Sequence, residues 1–417
     1  MHNSPSDYVR KLYEIVSAVD DLPQDDNDHH EHLKPLRHYL KGPSKRSFET
    51  LVNDSFLEPS KGKRKQEDVE KLRKHWELIL LNLCFVMYQR QWLLVPGDSR
   101  YYSDYWAQRL GITYRPTKTV IDWLQQNDLV ELLPGKRYKK EPKTNRIFPK
   151  PKLMKTLWEF FLQIEQPIQP PYLEINDPKY KWGPVIHGLS KDHPDKADMA
   201  TLNDFLKPHS WACKGPVKLI YKNSPFQGGR LYTPFQNLPD RRIRLRINTL
   251  IDGEPICEVD FSANHLRMNL ASNGGVDGGD DPYTEIGDLA QIPDRSMVKK
   301  FITVAMGSSN EVKAHQACYI EGLSKVQVSA LKDATQKIFP SLELFTGWCL
   351  YAQSIEGQIL KRVMLSGVKE GIVCLPVHDA IAVPLKHSEW AREEMKYQWD
   401  KEFEVSGLAR VAIDRPE

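Results

Sequence analysis

The hydrophobic spacing changes character along the chain. The first 75 residues hold one short amphipathic stretch, Tyr8–Val19, among polar runs, and read as partly disordered or helical. From Trp76 to Gln91, Leu78, Leu81, Phe85 and Tyr88 recur at helical intervals and predict a helix. Pro96-Gly97-Asp98 reads as a turn. Ser103 is placed to cap a short helix, Asp104–Leu110, which Gly111 ends. A third helix is expected over Pro116–Asn127, with Val120, Trp123 and Leu124 inward. Leu129–Leu133, a Pro134-Gly135 turn and Arg146–Phe148 follow as a two-stranded ribbon. Residues 161–215 are rich in Pro and Trp and read as an irregular connector that leads into a helical Lys196–Leu206. From Gly228 onward strands and helices mix. Cys257–Phe261 and Gly371–Pro376 read as strands, as does Ala380–Pro384. Ser262–Ala271, Asp294–Met306 and Thr346–Lys369 read as helices, and His378-Asp379 forms a tight turn.

These elements predict an α+β chain. Its 417 residues allow two or three domains. The expected division is a partly ordered N-terminal region (1–75), a mostly helical domain (76–160), a connector (161–227) and a mixed core (228–417). The longest apolar stretch, Leu78–Tyr88, is too short to span a membrane, which takes roughly 20 residues. No apolar stretch follows the start, so no secretory signal is expected and a cytoplasmic location is. The six cysteines are scattered without finger-type spacing, which predicts reduced thiols. His29-His30-Glu31-His32 lacks a second ligand cluster and reads as solvated linker rather than a metal site.

Net charge is 58 − 55 = +3, but its distribution is uneven. Leu129–Lys155 carries nine Lys/Arg against two Glu, a local excess that suits a polyanion. The stretch SDYWAQRLGITYRPTKTVIDWLQQNDLVELLPG and the ribbon after it resemble a winged helix. That resemblance implies a helix start bearing Arg115, Thr117, Lys118 and Thr119 in a major groove. It implies a wing of Lys136, Arg137, Lys139, Lys140, Lys143 and Arg146 on phosphates. A protein-docking winged helix with a solvated basic loop is the alternative.

The candidate chemistry lies downstream. Asp260 closes a predicted strand and Asp379 sits in a predicted hairpin. Two carboxylates brought together can hold two divalent ions about 3.5–4 Å apart. Arg295 and Lys299 lie one turn apart on one predicted helix, where they can grip a triphosphate. Taken singly, Asp260 also fits a helix N-cap, Asp379 a turn residue, and the two cations a solvated helix face.

Set in order, these residues resemble the A-family DNA polymerases and their relatives, the phage-type RNA polymerases. Asp260-Phe261-Ser262-Ala263-Asn264-His265-Leu266-Arg267 is similar to the family's DYSQIELR. Arg295-x3-Lys299 followed by Ala305-Met306-Gly307-Ser308 is similar to the fingers-helix motif. Pro376-Val377-His378-Asp379 is similar to VHDE. Gly229-Arg230-Leu231 with Gln236-Asn237-Leu238-Pro239 is similar to GRL…QNIP, and Asp281-Pro282-Tyr283-Thr284 sits at the family's D-x-H-T element.

The resemblance implies a palm with an antiparallel sheet, a fingers region, and a reduced thumb within residues 161–225. It implies Asp260, Asp379 and the Phe261 carbonyl as ligands of two Mg2+ ions, with Mn2+ as an alternative. Arg295 and Lys299 would bind nucleotide phosphates, with Lys300 as the alternative to Lys299. His265 and Met306 stand at nucleotide-facing positions; each is equally readable as a core residue. Arg230, Gln236, Asn237, Arg267 and His378 stand at primer or template positions. The expected partners are a DNA primer–template and dNTPs, with RNA or NTPs as the alternative; no membrane partner is expected. Several positions depart from the family: His265 replaces a carboxylate, Met306 a tyrosine and Ala380 a glutamate. The Arg295–Gly307 spacing is one residue short of the family's. No acidic exonuclease set precedes the palm, so no proofreading is expected. The implied activity is template-directed DNA synthesis in replication or repair, on a mobile element, phage or plasmid. RNA synthesis or priming is the runner-up, and a DNA-binding protein with a vestigial core is the rival.

Overall fold

The structure is a computed structural model. It describes residues 5–17, 22–23, 30–31, 33, 42–57, 66–103, 105–135, 144–161, 165–176, 192–222, 224–238, 243–275 and 278–416. The fold is mixed α and β, and the chain divides into two compact units. The first comprises residues 1–167 with 211–215 and 237–249, and the second 168–210, 216–236 and 250–417.

In the first unit the order is α1 (Pro5–Ser17), β1 (His30–Glu31), α2 (Gly42–Ser55), α3 (Gln66–Gln89), β2 (Trp92–Val95), α4 (Tyr105–Leu110), α5 (Tyr114–Gln126), β3 (Val130–Leu133), β4 (Asn145–Pro149) and α6 (Pro151–Phe161). Helix α3 begins ten residues before the expected Trp76. Glu67 and Asp68 in its first turn complement the positive end of the helix dipole. Its C-terminal half, His75 to Tyr88, is buried throughout. Strand β2 was not anticipated; a four-residue run is too short for its alternation to stand out. It pairs antiparallel with β4, which pairs with β3, and β1 adds on in parallel. Helix α5 turns Thr117, Val120, Ile121 and Leu124 inward. Its start precedes the expected Pro116 by two residues, because proline is tolerated in a first helical turn.

The second unit contains β5 (Leu173–Asn176), α7 (Pro194–Leu206), β6 (Lys218–Lys222), β7 (Ser224–Tyr232), β8 (Leu250–Ile251), β9 (Glu254–Phe261) and α8 (Asn264–Ser272). Then come α9 (Pro282–Ala290), α10 (Arg295–Gly307), α11 (Glu311–Ile320), α12 (Lys325–Ile338), α13 (Cys349–Glu370), β10 (Leu375–Val377), β11 (Ala380–Pro384), α14 (Ser388–Phe403) and β12 (Val411–Asp414). The expected connector is more ordered than its composition implied. It supplies β5, β6 and α7 to this unit, and β5-β6-β7 form a sheet. The other sheet runs β10-β11-β9-β12, with β8 on β9, and is antiparallel throughout.

Two features seat the long helix α13. Gly357 lies against the Gly229 carbonyl of β7 so closely that a Cβ there would sit 1.8 Å from the oxygen. Buried Lys361 pairs with Asp195 and, at 2.7 Å, with Asp198, both on α7. A separate apolar core joins α8 to α12 and includes Leu266, Ile286, Val298, Phe301, Ile302 and Leu331.

Candidate active site

The antiparallel pairing of β9 with β11 brings the two aspartates together. Asp260 stands opposite Ala380, so Asp379 precedes Asp260's direct cross-strand neighbour by one residue. A left-handed, non-glycine residue follows Asp260 by three positions and another immediately precedes Asp379. Ala263 has φ +52° where β9 turns into α8, and His378 has φ +56° in the hairpin. Such conformations cost about 1–2 kcal/mol each and persist where surrounding structure enforces them.

The carboxylates repel. Crowding by surrounding protein, then the Asp379 charge, push Asp260 up to about 7, although its side chain stays open to solvent. Lys299 partly offsets the rise. Asp379 is also raised, by burial first and then by Glu356. A divalent cation fits this pair, because it would relieve both the repulsion and the desolvation. No group of three or more His, Cys, Asp or Glu that could hold a metal occurs among the described residues. The remaining ligands would be backbone carbonyl, water or substrate oxygens, the usual complement of Mg2+. The Phe261 ring is buried, and its backbone continues β9 opposite Val411.

Helix α10 starts at Arg295, capped by Asp294, whose side chain accepts from Ser296 N–H. Arg295 does not stand free. Its Nε and Nη2 donate to Asp281 at 2.7 and 3.1 Å, and its guanidinium lies 5.1 Å from the centre of the Tyr283 ring. The Arg295 hydrogen bond holds the Asp281 carboxyl below the usual carboxylate range. Lys299 is the exposed lysine whose charge acts on Asp260, whereas Lys300 lies 3.3 Å from Glu321.

Beside the aspartates lies a residue the motif reading passed over, Glu356 on α13. It is 1% exposed. Its Oε1 accepts from Arg230 Nε at 3.0 Å, and its Oε2 accepts from Asn264 Nδ2 at 3.2 Å. His265 Nε2 lies 3.0 Å from the same Oε2. Burial alone would raise this carboxyl; the His265 hydrogen bond and charge, then Arg230 and Asn264, hold it below the usual range. Burial likewise opposes charge on His265, but Cys349 and Glu356 carry it up to about 9. A signal for Glu356 existed in the sequence. Gly357 beside it interrupts a helical run, and an interior helix glycine marks a close approach.

Other expected residues are placed differently. Met306 is buried in the apolar core of α8–α12 and does not line the carboxylates. Arg267 is 3% exposed, and its Nε and Nη2 donate to the carbonyls of Ser262, Gly279 and Asp280. It braces the turn after β9 rather than facing a strand of nucleic acid. Gln236 is buried, whereas Asn237 is exposed and belongs to the first unit. His378 is exposed in the hairpin.

In the first unit, Arg115 and Lys118 are exposed on α5, with Lys118 paired to Asp122. Thr117 is buried and donates its hydroxyl to the Thr113 carbonyl. Arg146 is 2% exposed, with Nη2 donating to the Pro134 carbonyl. Both side chains are buried rather than presented on the surface for a phosphate. Lys136, Arg137, Lys139, Lys140 and Lys143 lie outside the described residues.

All six cysteines are free. Among the described residues, no helix is long and apolar enough to cross a membrane. No protein family matches the chain, and no curated protein is similar to it.

Proposed function

We propose that the chain is a metal-dependent, template-directed nucleotidyltransferase of A-family type, synthesising DNA, with β9, β10 and β11 as its palm and α10 as its fingers helix. The β9–β11 register that sets Asp379 beside Asp260 carries this reading. Paired, mutually repelling carboxylates destabilise a fold unless a proton or a cation sits between them, and a divalent cation relieves both at once. Divalent ions held by Asp260 and Asp379 would, when bound, supply activation of a primer 3′-hydroxyl and neutralisation of a leaving pyrophosphate. Asp260 and Asp379 hold that charge in place. Lys299, exposed on α10 and within electrostatic reach of Asp260, neutralises the incoming phosphates. Arg295 joins it once its pair with Asp281 is exchanged for phosphate. Arg230 orients the primer end, and His265 lies at the sugar. In-line phosphoryl transfer asks little more of a protein than this positioning and neutralisation.

The first unit supports a winged-helix reading in which the exposed start of α5 and the basic loop between β3 and β4 engage duplex phosphates. Helices α3, α4 and α5 with the antiparallel β2-β4-β3 sheet are compatible with it. The test of the activity is primer extension with dNTPs or NTPs in magnesium, using wild type, Asp260→Asn and Asp379→Asn. Extension by wild type and its loss in both variants is expected. Equal extension by wild type and variants would remove the assignment, and a preference for NTPs would make RNA synthesis the leading reading.

A further inference from the structure

The four residues of this cluster come from three elements: Arg230 from β7, Asn264 and His265 from α8, and Glu356 itself from α13. A fifth member extends the chain, since Trp399 Nε1 on α14 donates to Asn264 Oδ1 at 3.1 Å. A carboxylate this buried is costly unless donors satisfy it, and here both oxygens are occupied. The division between them is specific. Oε1 serves only Arg230 among these donors, while Oε2 serves Asn264 and His265. The carboxylate plane therefore fixes the guanidinium and the imidazole relative to each other. Gly357 and Gly229 make this possible, because their backbone approach sets Glu356 beside Arg230.

We propose that Glu356 is a positioning residue that holds Arg230 and His265 in one frame, so that selection of the sugar and inspection of the primer end are set by one carboxylate. The inference rests on the polymerase reading above for what Arg230 and His265 do, and on the hydrogen bonds for how they are held. Glu356 touches neither substrate in this role. Its effect passes through the two residues it orders.

Glu356→Gln is the informative variant, because it keeps volume and shape but replaces one acceptor oxygen with an N–H2 group. Oε2 accepts two donors, so the amide oxygen satisfies most groups there, and the N–H2 group then faces the Arg230 N–H. Arg230 loses its anchor outright. His265 keeps a neutral acceptor in place of a charged one, a weaker hold.

The experiment measures kcat/KM for dNTP and NTP on matched and mismatched primer ends. It uses wild type, Arg230→Ala, His265→Ala, Glu356→Gln and the Arg230→Ala/Glu356→Gln double variant. Urea unfolding of each full-length protein accompanies it. Glu356→Gln should lose roughly tenfold in both discrimination ratios, within the range that shape-based selection supplies. Each single partner variant should lose only its own ratio. In the double variant, mismatch discrimination should be no worse than in Glu356→Gln alone, because residues of one network do not add. Unchanged ratios in a folded Glu356→Gln protein, with wild type active, would overturn the proposal.

A second arm needs no activity. The His265 ring is followed by NMR titration in wild type and Glu356→Gln. The charged and titratable groups acting on it include Glu356 and Cys349, and it also interacts through its charge with Asp379 of the hairpin. Its midpoint should move down from about 9 toward the ordinary histidine range in the variant. An unmoved midpoint shows that Glu356 does not hold the ring and overturns the proposal. If wild type extends no primer but the midpoint moves, the activity reading fails while the positioning contact stands.

Discussion

Replacing Gly357 with alanine perturbs the site from behind. The added methyl would lie 1.8 Å from the Gly229 carbonyl oxygen and 2.9 Å from the carbonyl carbon. Real Cβ contacts essentially never fall below 3.0 Å, so α13 and β7 must part by at least 1.2 Å (3.0 − 1.8). The obstructing atoms are backbone, and no side chain can swing away. Overpacking of this kind costs about 1–3 kcal/mol, and a backbone clash belongs at the upper end. Alanine recovers about 1 kcal/mol of intrinsic helix preference over glycine. The net loss is then about 2 kcal/mol, or roughly 4–8 °C in the melting of a unit this size. The same parting acts on chemistry. Arg230 follows Gly229 and Glu356 precedes Gly357, so their 3.0 Å hydrogen bond stretches beyond useful length. A displacement of about 1 Å in positioning groups can cost roughly 100-fold in rate. Urea unfolding of the full chain and single-nucleotide extension kinetics read the two effects separately. A Gly357→Ala protein that unfolds at the wild-type urea midpoint and extends at the wild-type rate would refute the tight crossing and the reasoning built on it.

Three further outcomes are expected. Asp260→Asn should raise metal-free stability at pH 8. The folded state holds the Asp260 proton up to about pH 7, so that contribution is complete below about pH 4 and lost as pH rises through 7. Melting with and without Mg2+ checks this, and stabilisation of the variant by Mg2+ equal to that of wild type would count against the metal pair. Lys299→Ala should cut kcat for nucleotide addition by 10- to 1,000-fold, about 1.4–4 kcal/mol, with little change in primer–template affinity. Lys300→Ala should stay near wild type because its partner is Glu321; the reverse ranking in single-turnover kinetics would show that the other lysine meets the phosphate. Changing Lys136, Arg137, Lys139 and Lys140 together to alanine should flatten the salt dependence of duplex binding by about 0.9 per lost phosphate contact. An unchanged log–log slope in a fluorescence-anisotropy titration would favour protein docking by this unit.

The sequence by itself determined the elements around the site and the pair of aspartates. The expected Ser262–Ala271, Asp294–Met306 and Thr346–Lys369 helices match α8, α10 and α13 within a few residues. Periodicity, caps and turn residues are local signals, and these helices obey them. Side-chain burial at the site was decided elsewhere. Met306 became core, and Arg267 and Arg146 turned inward, because helices and strands far apart in sequence pack over them. A cation in a charged-looking stretch carries no mark of which carbonyl will later claim it. Strand β2 and the β5–β6 pairing also needed partners that only the folded chain brings near. Glu356 is the clearest case. On α13 alone it is one more acid on a helix, and it became the centre of the cluster only when Gly357 let that helix settle on β7 and α8 delivered His265 to its other oxygen. Hydrogen bonds between distant elements depend on the tertiary packing that brings both partners within about 3 Å, and no one-dimensional pattern records that distance.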